Sequence, residues 1–293
     1  MDTTKMIATP SRTTEIMQQY GIKMKKSLGQ NFLVEPRMLE KMIEAGEIDE
    51  TTTVIEIGPG IGALTQYLAI HAKKVLAFEI DQRFVYILSK TLAAYDNVEV
   101  IHQDILSVNF TLPEFDYLRE AERLVVVANL PYYITTPIIM NLLVSELPFQ
   151  SLIMMMQKEV AERMTATVGT KAYNSLTIAI QNDMEAEIAF GVPKGVFIPK
   201  PNVDSAVLKL TRREEPLVLV DDSKRFQKFV RACFKQRRKT IWNNLKAAFI
   251  SDEVSDTDVR AIVDQVGLDA SRRAETLTIV EFAQIYEAFS VLY

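Results

Sequence analysis

Four residues that follow a predicted buried strand are the strongest sign of chemistry in this chain. The apolar run 124–128 predicts a strand, and Asn129-Leu130-Pro131-Tyr132 comes directly after it. The side-chain oxygen of Asn129 accepts hydrogen bonds, Pro131 rigidifies the turn, and Tyr132 offers a flat face for stacking. We interpret this segment as a pocket for a planar substrate that carries an amine, such as adenine.

The same residue types indicate what could happen to that amine. An amine conjugated to a purine ring is a poor nucleophile because its lone pair is delocalised into the ring. The Asn129 oxygen and a backbone carbonyl at Leu130 or Pro131 would hold its two hydrogens while the nitrogen becomes tetrahedral. A methyl group could then arrive from a sulfonium donor, a step that needs mainly positioning. No strong base is required, which fits a chain with two histidines and one cysteine.

A second aromatic residue could form the opposite wall of this pocket. Phe197 begins the segment Phe197-Ile198-Pro199-Lys200-Pro201, in which two prolines make a rigid loop. We predict that Phe197 stacks on the substrate base from the side opposite Tyr132. Without the other motifs, an anchor in the apolar core would be the simpler role for it.

Three further positions predict a nucleoside cofactor. Gly58-x-Gly60-x-Gly62 lies between a predicted strand and a helix, where glycines let the backbone approach a ligand closely. Glu79 follows the next strand and could accept both ribose hydroxyls, while Asp104 follows the third and could accept from an adenine amine. Each alone has a simpler explanation, a tight turn or a solvated carboxylate. Together, with no phosphate-binding motif, they favour S-adenosylmethionine over NAD.

Positive charge is concentrated in one stretch of an otherwise acidic chain. The formal net charge is −5, yet the segment 224–246 holds nine Lys or Arg residues and no Asp or Glu. We predict that its central cluster binds RNA phosphates rather than forming an ordinary solvated helix face. The residues of this cluster are Arg231, Lys235, Arg237, Arg238 and Lys239.

The order of predicted elements indicates how these residues would be brought together. Strands and helices alternate five times after residue 52, which predicts an α/β fold with a doubly wound parallel sheet. Ligands of such sheets bind beyond the carboxyl ends of the strands, so Gly58, Glu79, Asp104 and Asn129 should converge there. We assign residues 1–215 to a catalytic domain with a loose N-terminal arm, helical only near 14–20. Residues 216–293 are predicted to form a small all-helical domain, with helices at about 223–234, 239–250, 256–266 and 279–289.

Composition excludes several other classes of protein. No apolar run approaches the roughly 18 residues of a membrane span. The single cysteine, Cys233, excludes an internal disulfide, and two histidines, His71 and His102, leave little for a zinc site. We therefore expect a cytoplasmic, monomeric protein that uses neither a metal nor a membrane.

Several motifs in order resemble those of the bacterial small-subunit (16S) rRNA dimethyladenosine transferases, and the resemblance covers nearly the whole chain. They are Ser27-Leu28-Gly29-Gln30-Asn31-Phe32-Leu33, Ile55-Glu56-Ile57-Gly58-Pro59-Gly60-Ile61-Gly62-Ala63-Leu64-Thr65, Asn129-Leu130-Pro131-Tyr132-Tyr133-Ile134, Phe197-Ile198-Pro199-Lys200-Pro201, Gln157-Lys158-Glu159-Val160-Ala161-Glu162-Arg163 and Phe234-Lys235-Gln236-Arg237-Arg238-Lys239-Thr240.

The resemblance implies a Rossmann-like S-adenosylmethionine-dependent methyltransferase sheet with a small helical C-terminal domain. It implies dimethylation of two adjacent adenosines near the 3′ end of 16S rRNA, on an immature small ribosomal subunit. By motif position it places Asn31 and Leu33 at the methionine end of the cofactor. It implies that Glu79 contacts the ribose and Asp104 contacts the adenine of the cofactor. It also implies that Asn129 faces both the cofactor and the target amine.

Two alternatives remain open at this stage. A related large-subunit (23S) rRNA adenine methyltransferase that confers macrolide resistance would share the cofactor and target-base motifs. The helical segment after residue 216 and the basic cluster favour the small-subunit enzyme, because the large-subunit enzymes are usually shorter. The other alternative is an assembly factor that binds the subunit without catalysis. The intact Asn129-Leu130-Pro131-Tyr132 motif argues against it, since binding alone would not need this motif.

Overall fold

The computed structural model of the protein describes residues 5–22, 31–129, 134–145, 147–251 and 253–290. By the density of its internal contacts the chain divides into two compact units. The first comprises 1–161 and 187–212, and the second comprises 162–186 and 213–293, as far as these residues are described. The second unit therefore includes 162–186, a stretch that the sequence analysis assigned to the catalytic domain.

The strands of the described residues, in chain order, are β1 (Phe32–Leu33), β2 (Thr52–Ile57), β3 (Lys74–Glu79), β4 (Val98–His102), β5 (Arg123–Asn129), β6 (Ser151–Gln157), β7 (Met184–Val192), β8 (Phe197–Ile198) and β9 (Ser205–Arg212). The helices are α1 (Pro10–Gln19), α2 (Pro36–Ala45), α3 (Ala63–His71), α4 (Gln82–Thr91), α5 (Asp116–Arg119), α6 (Thr135–Leu143), α7 (Lys158–Met164), α8 (Ser175–Gln181), α9 (Ser223–Cys233), α10 (Ile241–Phe249), α11 (Asp256–Val266) and α12 (Ile279–Phe289).

A seven-stranded sheet, counted over the described residues, has the order β4-β3-β2-β5-β6-β9-β7. The neighbours from β4 to β6 are parallel, and β9 runs antiparallel to β6. The central strand β2 is buried along its whole length, because helices cover parallel sheets on both faces. The predicted α/β methyltransferase-type fold is confirmed, with an antiparallel strand added at one side.

The N-terminal segment is more ordered than the sequence analysis expected. In place of a loose arm, α1 spans ten residues, with Pro10 in its first turn and Thr9 capping it. Ile7 and Ile16 are buried in the core of the first unit. The side chain of Gln66 accepts a hydrogen bond from the Ile7 amide at 2.8 Å and donates to the carbonyl of Lys5 at 3.3 Å. The prediction of a loose arm was wrong because these partners lie some sixty residues away.

A two-stranded sheet escaped prediction altogether. β1 pairs antiparallel with β8, so that Phe32 lies opposite Ile198 and Leu33 opposite Phe197. Two-residue strands show no periodicity in a sequence. This small sheet ties Leu33 and Phe197 to the same place in the first unit.

The second unit is built from helices around its own apolar core. Aromatic residues dominate this core, including Phe226, Phe229, Phe234, Phe282 and Phe289. The observed bounds of α11 and α12 are those predicted from the sequence. Of the helices described, none is long and apolar enough to cross a membrane.

Candidate active site

The strand order brings four predicted site residues to one edge of the sheet. β4, β3, β2 and β5 are adjacent and parallel, so their carboxyl ends meet there. A cavity at this edge, called here the edge cavity, is lined by Gly58, Glu79, Asp104 and Asn129. Three other predicted site residues from outside these strands, Asn31, Leu33 and Phe197, also line it.

The glycine turn after β2 leaves room for a ligand. Gly58 has a φ of +69°, and a Cβ atom added there would meet nothing within 4 Å. Gly60 also has a positive φ, of +59°, which L side chains rarely adopt. The amide of Gly58 donates to the carbonyl of Phe78 at 3.0 Å, which fixes the turn against β3. The backbone of Gly58 is therefore open for close approach by a ligand in the edge cavity.

Glu79 ends β3 and is held by the backbone around it. Its Oε2 accepts a hydrogen bond from the Gly60 amide at 3.1 Å, and its Oε1 accepts from the Asp81 amide at 2.8 Å. The side chain is buried, and this burial raises the pKa of Glu79 although the two amides favour the charged form. A carboxylate has about four acceptor positions, so these bonds leave capacity for two hydroxyl groups.

Asp104 lies at the turn after β4. Its Oδ1 accepts a hydrogen bond from the Leu106 amide at 3.0 Å and so caps a short 3₁₀ turn at 105–107. The residue is half-buried and lines the edge cavity. The cap fixes the orientation of a carboxylate that can still accept a hydrogen bond from a ligand.

Glu56 is a residue of this cavity that the sequence analysis did not single out. It lies in the buried strand β2 and lines the edge cavity, yet it is only 1% exposed. Its Oε2 has no hydrogen-bond partner in the described protein. Burial, with a further contribution from the nearby charge of Glu79, raises the pKa of Glu56 to about 8. A lone acid within an apolar buried strand was the signal in the sequence, because such residues are seldom buried unless they have a partner.

Asn129 is the last residue of β5 and is half-buried. It pairs in register with Met155 of β6 and lines the edge cavity. Its predicted companions Pro131 and Tyr132, together with Leu130, lie outside the described residues. Asn129 thus stands beside the cofactor candidates, as the strand order requires.

Phe197 is a core residue that also lines the edge cavity, and its stacking on the substrate base stays a prediction. It is 4% exposed and belongs to the apolar core of the first unit, and it also lines the edge cavity. Its pairing with Leu33 in the small sheet places both side chains at this wall. A ring anchored in this way is a fixed surface rather than a mobile one.

The predicted basic cluster lies in the second unit and is exposed. The side chains of Arg231, Lys235, Arg238 and Lys239 form no hydrogen bond or ion pair with any residue in the described part of the chain. Arg237 differs from them, because its guanidinium donates to the carbonyls of Lys171 and Tyr173 and lies 3.8 Å from a carboxylate oxygen of Glu275. Arg237 therefore helps to hold the loop that carries its neighbours.

The buried side-chain amide of Asn244 also holds the loop between α9 and α10. Asn244 is 2% exposed, and its Oδ1 accepts a hydrogen bond from the Gln236 amide at 2.8 Å. Its Nδ2 donates to the carbonyls of Gln236 and Thr240, both at 3.2 Å. The loop that presents Arg238 and Lys239 is thus pre-formed in the described protein.

The donors and acceptors of the edge cavity fit S-adenosylmethionine. This cofactor carries an adenine, a ribose and a methionine tail with a positive ammonium group. Glu79 and Asp104 offer carboxylate oxygens, the type of acceptor that ribose hydroxyls and an adenine amine require, and the turn at Gly58 is open. The partnerless Oε2 of Glu56 supplies what a buried cation needs. Without a cation, that oxygen is a costly feature of the fold.

Comparison with known proteins agrees with these features. The model of the ribosomal RNA adenine dimethylase family matches residues 21–285. The ribosomal RNA small subunit methyltransferase A of Enterococcus faecalis is 52% identical over 284 residues, which cover 97% of this chain and 96% of that protein. The protein of the same name from Staphylococcus epidermidis is 52% identical over 283 residues, with 97% and 96% covered.

Two solved structures are similar over most of the chain. A dimethyladenosine transferase from Plasmodium falciparum superposes with a TM-score of 0.72 at 28% identity, covering 89% of this chain and 98% of that one. The 23S rRNA methyltransferase ErmE superposes with a TM-score of 0.65 at 27% identity, covering 88% and 99%. The similarity therefore extends well beyond the glycine turn.

Proposed function

The chain belongs to the ribosomal RNA adenine dimethylase family, and from that premise we propose that it dimethylates two adjacent adenosines of 16S rRNA on an immature small ribosomal subunit. The observation that carries the proposal is the edge cavity, in which the backbone at Gly58 and the side chains of Glu79, Asp104 and Asn129 line one space. These groups match a nucleoside methyl donor beside a site for a target amine.

S-adenosylmethionine would be held by side chains from several strands. We assign the ribose hydroxyls to Glu79, the adenine amine to Asp104 and the ammonium group to Glu56. Asn31 and Leu33 would contact the methionine end. When bound, the cofactor supplies an electrophilic methyl group. The carboxylates orient it, and the buried walls keep water away.

Asn129 would act on the target adenosine. Its side-chain oxygen would accept a hydrogen bond from the exocyclic amine and stabilise the positive charge that develops on the nitrogen as it is methylated. Phe197 would bound the target base on one side. Pro131 and Tyr132 keep their predicted roles, a rigid turn and a stacking face, from the sequence alone. No group of strong basicity is assigned, because positioning dominates this reaction.

The helical domain at 216–293 would bind the ribosomal RNA. Arg231, Lys235, Arg238 and Lys239 are exposed cations without partners in the described protein, which suits contacts to phosphates. For Arg237 we propose a supporting part, since its guanidinium is engaged by Lys171, Tyr173 and Glu275. The positive charge of Arg237 adds to the positive electrostatic potential at the α9–α10 loop.

The relatives that cover nearly the whole chain favour the small subunit over the large one. They are named small-subunit methyltransferases and reach 52% identity, whereas the 23S rRNA methyltransferase ErmE reaches 27%. The deciding experiment supplies purified protein and S-adenosylmethionine to undermethylated small subunits and, separately, to large subunits. Mass analysis of the nucleosides should find dimethyladenosine in the small-subunit RNA.

Two results would overturn this proposal in different ways. Methylation of the large subunit alone would assign the protein to the large-subunit enzymes. Tight binding to the small subunit with no methylation under any assembly condition would favour a non-catalytic assembly factor. A variant with Asn129→Ala serves as the matched negative control in each arm.

A further inference from the structure

We propose that RNA binding extends from the α9–α10 loop along the solvent face of α9, which contacts the phosphate backbone of an RNA strand. This surface, called here the cationic ridge, consists of Lys224, Lys228, Arg231 and Lys235. It rests on the proposed function in one respect, namely that the partner of the helical unit is ribosomal RNA. Arg231 and Lys235 belong to the basic cluster as well, and Lys224 and Lys228 extend it along the helix.

The spacing of Lys224, Lys228 and Arg231 places them on one face of the helix. They are separated by four and three positions, which at 3.6 residues per turn confines them to an arc of about 60°. Lys235 follows the helix end, and its amide still donates to the carbonyl of Ala232 at 3.1 Å. Lys224 and Arg231 are separated by roughly 10 Å along the axis. The ridge is therefore a straight row of cations about one turn apart.

The buried face of α9 lies opposite the ridge. The helix packs into the core of the second unit through four apolar residues, and all four ridge residues are exposed. On the helical wheel the centres of the two sets are about 180° apart. The four packing residues are Phe226, Phe229, Val230 and Cys233. Packing thus turns the ridge directly outward, where a large ligand can reach it.

The ridge charges have no partner within the described protein. None of the four side chains forms an ion pair or hydrogen bond with any described residue. Other cations of the same unit do: Lys246 lies 2.8 Å from Asp256, Arg260 lies 3.1 Å from Asp264, and Arg272 pairs with Glu281. In a chain with more acidic than basic residues, this face has been left without acids.

The ridge is unfavourable for the helix itself. Like charges three or four residues apart destabilise a helix by a few tenths of a kcal/mol for each pair. The helix dipole disfavours Lys224, which lies in the first turn, but favours Arg231, which lies in the last turn. Because none of these side chains pairs with an acid of the described protein, the row of charges is available to an external polyanion.

RNA fits the ridge better than an acidic protein does. A protein partner would normally also need apolar contacts, and the exposed positions of the ridge are all charged. An RNA strand offers phosphates in a regular row and can be bound by charge alone. The ridge also continues through Lys235 into the loop that carries Arg238 and Lys239. The ridge and the α9–α10 loop would together contact consecutive phosphates of one RNA strand.

The experiment compares two triple variants of the full-length protein that lose the same charge. The test variant combines Lys224→Gln, Lys228→Gln and Arg231→Gln, and the matched control combines Lys41→Gln, Lys73→Gln and Lys90→Gln, three exposed lysines of the first unit. Binding to undermethylated small subunits and to deproteinised 16S rRNA is measured from about 50 to 300 mM salt. Thermal melting checks that both variants fold.

The ridge variant should bind both RNA samples about 10- to 100-fold more weakly at 150 mM salt. The slope of log affinity against log salt should fall by about two, since each lost phosphate contact removes roughly 0.7 to 0.9. The control should change both quantities much less, and Lys228→Arg should bind like the wild type. The melting temperature of the ridge variant should stay or rise slightly, because repulsion is relieved.

Three results would overturn the ridge proposal. The first is that the control triple weakens RNA binding as much as the ridge triple does, which would mean that binding depends only on the net charge of the protein. The second is weakening on intact subunits but not on deproteinised RNA, which would identify an acidic protein as the partner. The third is unchanged binding by the ridge variant while the wild type binds and methylates the subunit. Failure of the wild type itself to bind or methylate would instead overturn the proposed function.

Discussion

The edge cavity and the cationic ridge both hold ionisable groups that have no charged partner in the described protein, but the surroundings of these groups are opposite. The Oε2 of Glu56 is buried, where an unpaired charge is costly and a few groups suffice. The ridge is exposed, so each charge costs little free energy to maintain. Each charge also contributes little binding energy, and several must act together. Single substitutions in the cavity should therefore have large effects that depend on pH. Those on the ridge should have small effects that depend on salt.

The largest effect should come from Asn129→Ala. Removing the acceptor of the target amine should lower the methylation rate by about 100- to 1000-fold, the range found when one group that stabilises developing charge is lost. Binding of the subunit should stay within a few-fold of wild type, because the ridge and loop are untouched. Single-turnover methylation and a binding titration measure the two quantities. Equal loss in both would remove Asn129 from its assigned role.

Glu56→Gln should come next. Loss of the carboxylate that faces the ammonium group should weaken S-adenosylmethionine binding by about 10- to 100-fold, as for hydrogen bonds to charged groups. Calorimetric titration measures this affinity, and the ridge triple serves as the control that should bind the cofactor normally. An unchanged affinity would show that the ammonium group is held elsewhere.

The stability of the protein without cofactor should fall as pH rises, and Glu56 should account for part of the fall. The folded protein keeps the proton of Glu56 up to about pH 8, whereas the unfolded chain releases it near 4.5. Between these values the unfolded state binds fewer protons, so each pH unit costs about 1.4 kcal/mol. From pH 6 to 8 the wild type should lose about 2 kcal/mol more than Glu56→Gln in urea unfolding. If the unfolding free energies of the wild type and Glu56→Gln changed with pH in parallel, the raised pKa of Glu56 would be contradicted.

The smallest effect should come from a single ridge residue. Lys228→Gln should weaken subunit binding about three- to tenfold at low salt, and the difference should shrink as salt screens the charges. Cofactor binding should vary much less over the same salt range, since Glu56 and Glu79 are buried. Binding curves for both ligands at four salt concentrations test the contrast. A cofactor affinity as salt-sensitive as RNA binding would abolish the distinction between the two regions.

Much of the fold was predictable because its signals are local. The bounds of α11 and α12 follow from capping boxes: Ser255 with Asp258, and Thr278 with Glu281. The carboxyl-edge placement of Gly58 follows from strand and helix alternation alone. Where the sequence shows these patterns, prediction and structure agree.

What could not be predicted depends on partners distant in sequence. Arg237 looks like its basic neighbours, and only the carbonyl of Tyr173, 64 residues earlier, distinguishes it. Glu56 could be noticed as an acid in an apolar strand, but its lack of a partner is a property of the folded cavity. The ridge required knowledge of which face of α9 packs. The periodicity of a sequence shows which residues share a helix face. Whether that face packs in the core or binds a ligand depends on its burial and its ion pairs in the folded protein.

The attachment of the N-terminal segment has a practical consequence for anyone who shortens or tags this protein. Gln66, which holds the segment through Ile7 and Lys5, lies on α3, and the first turn of this helix contributes Ala63 and Leu64 to the wall of the edge cavity. Removing residues 1–20 would strip buried Ile7 and Ile16 from the core and leave Gln66 without these two backbone partners. An affinity tag is better placed ahead of an intact segment than in exchange for it.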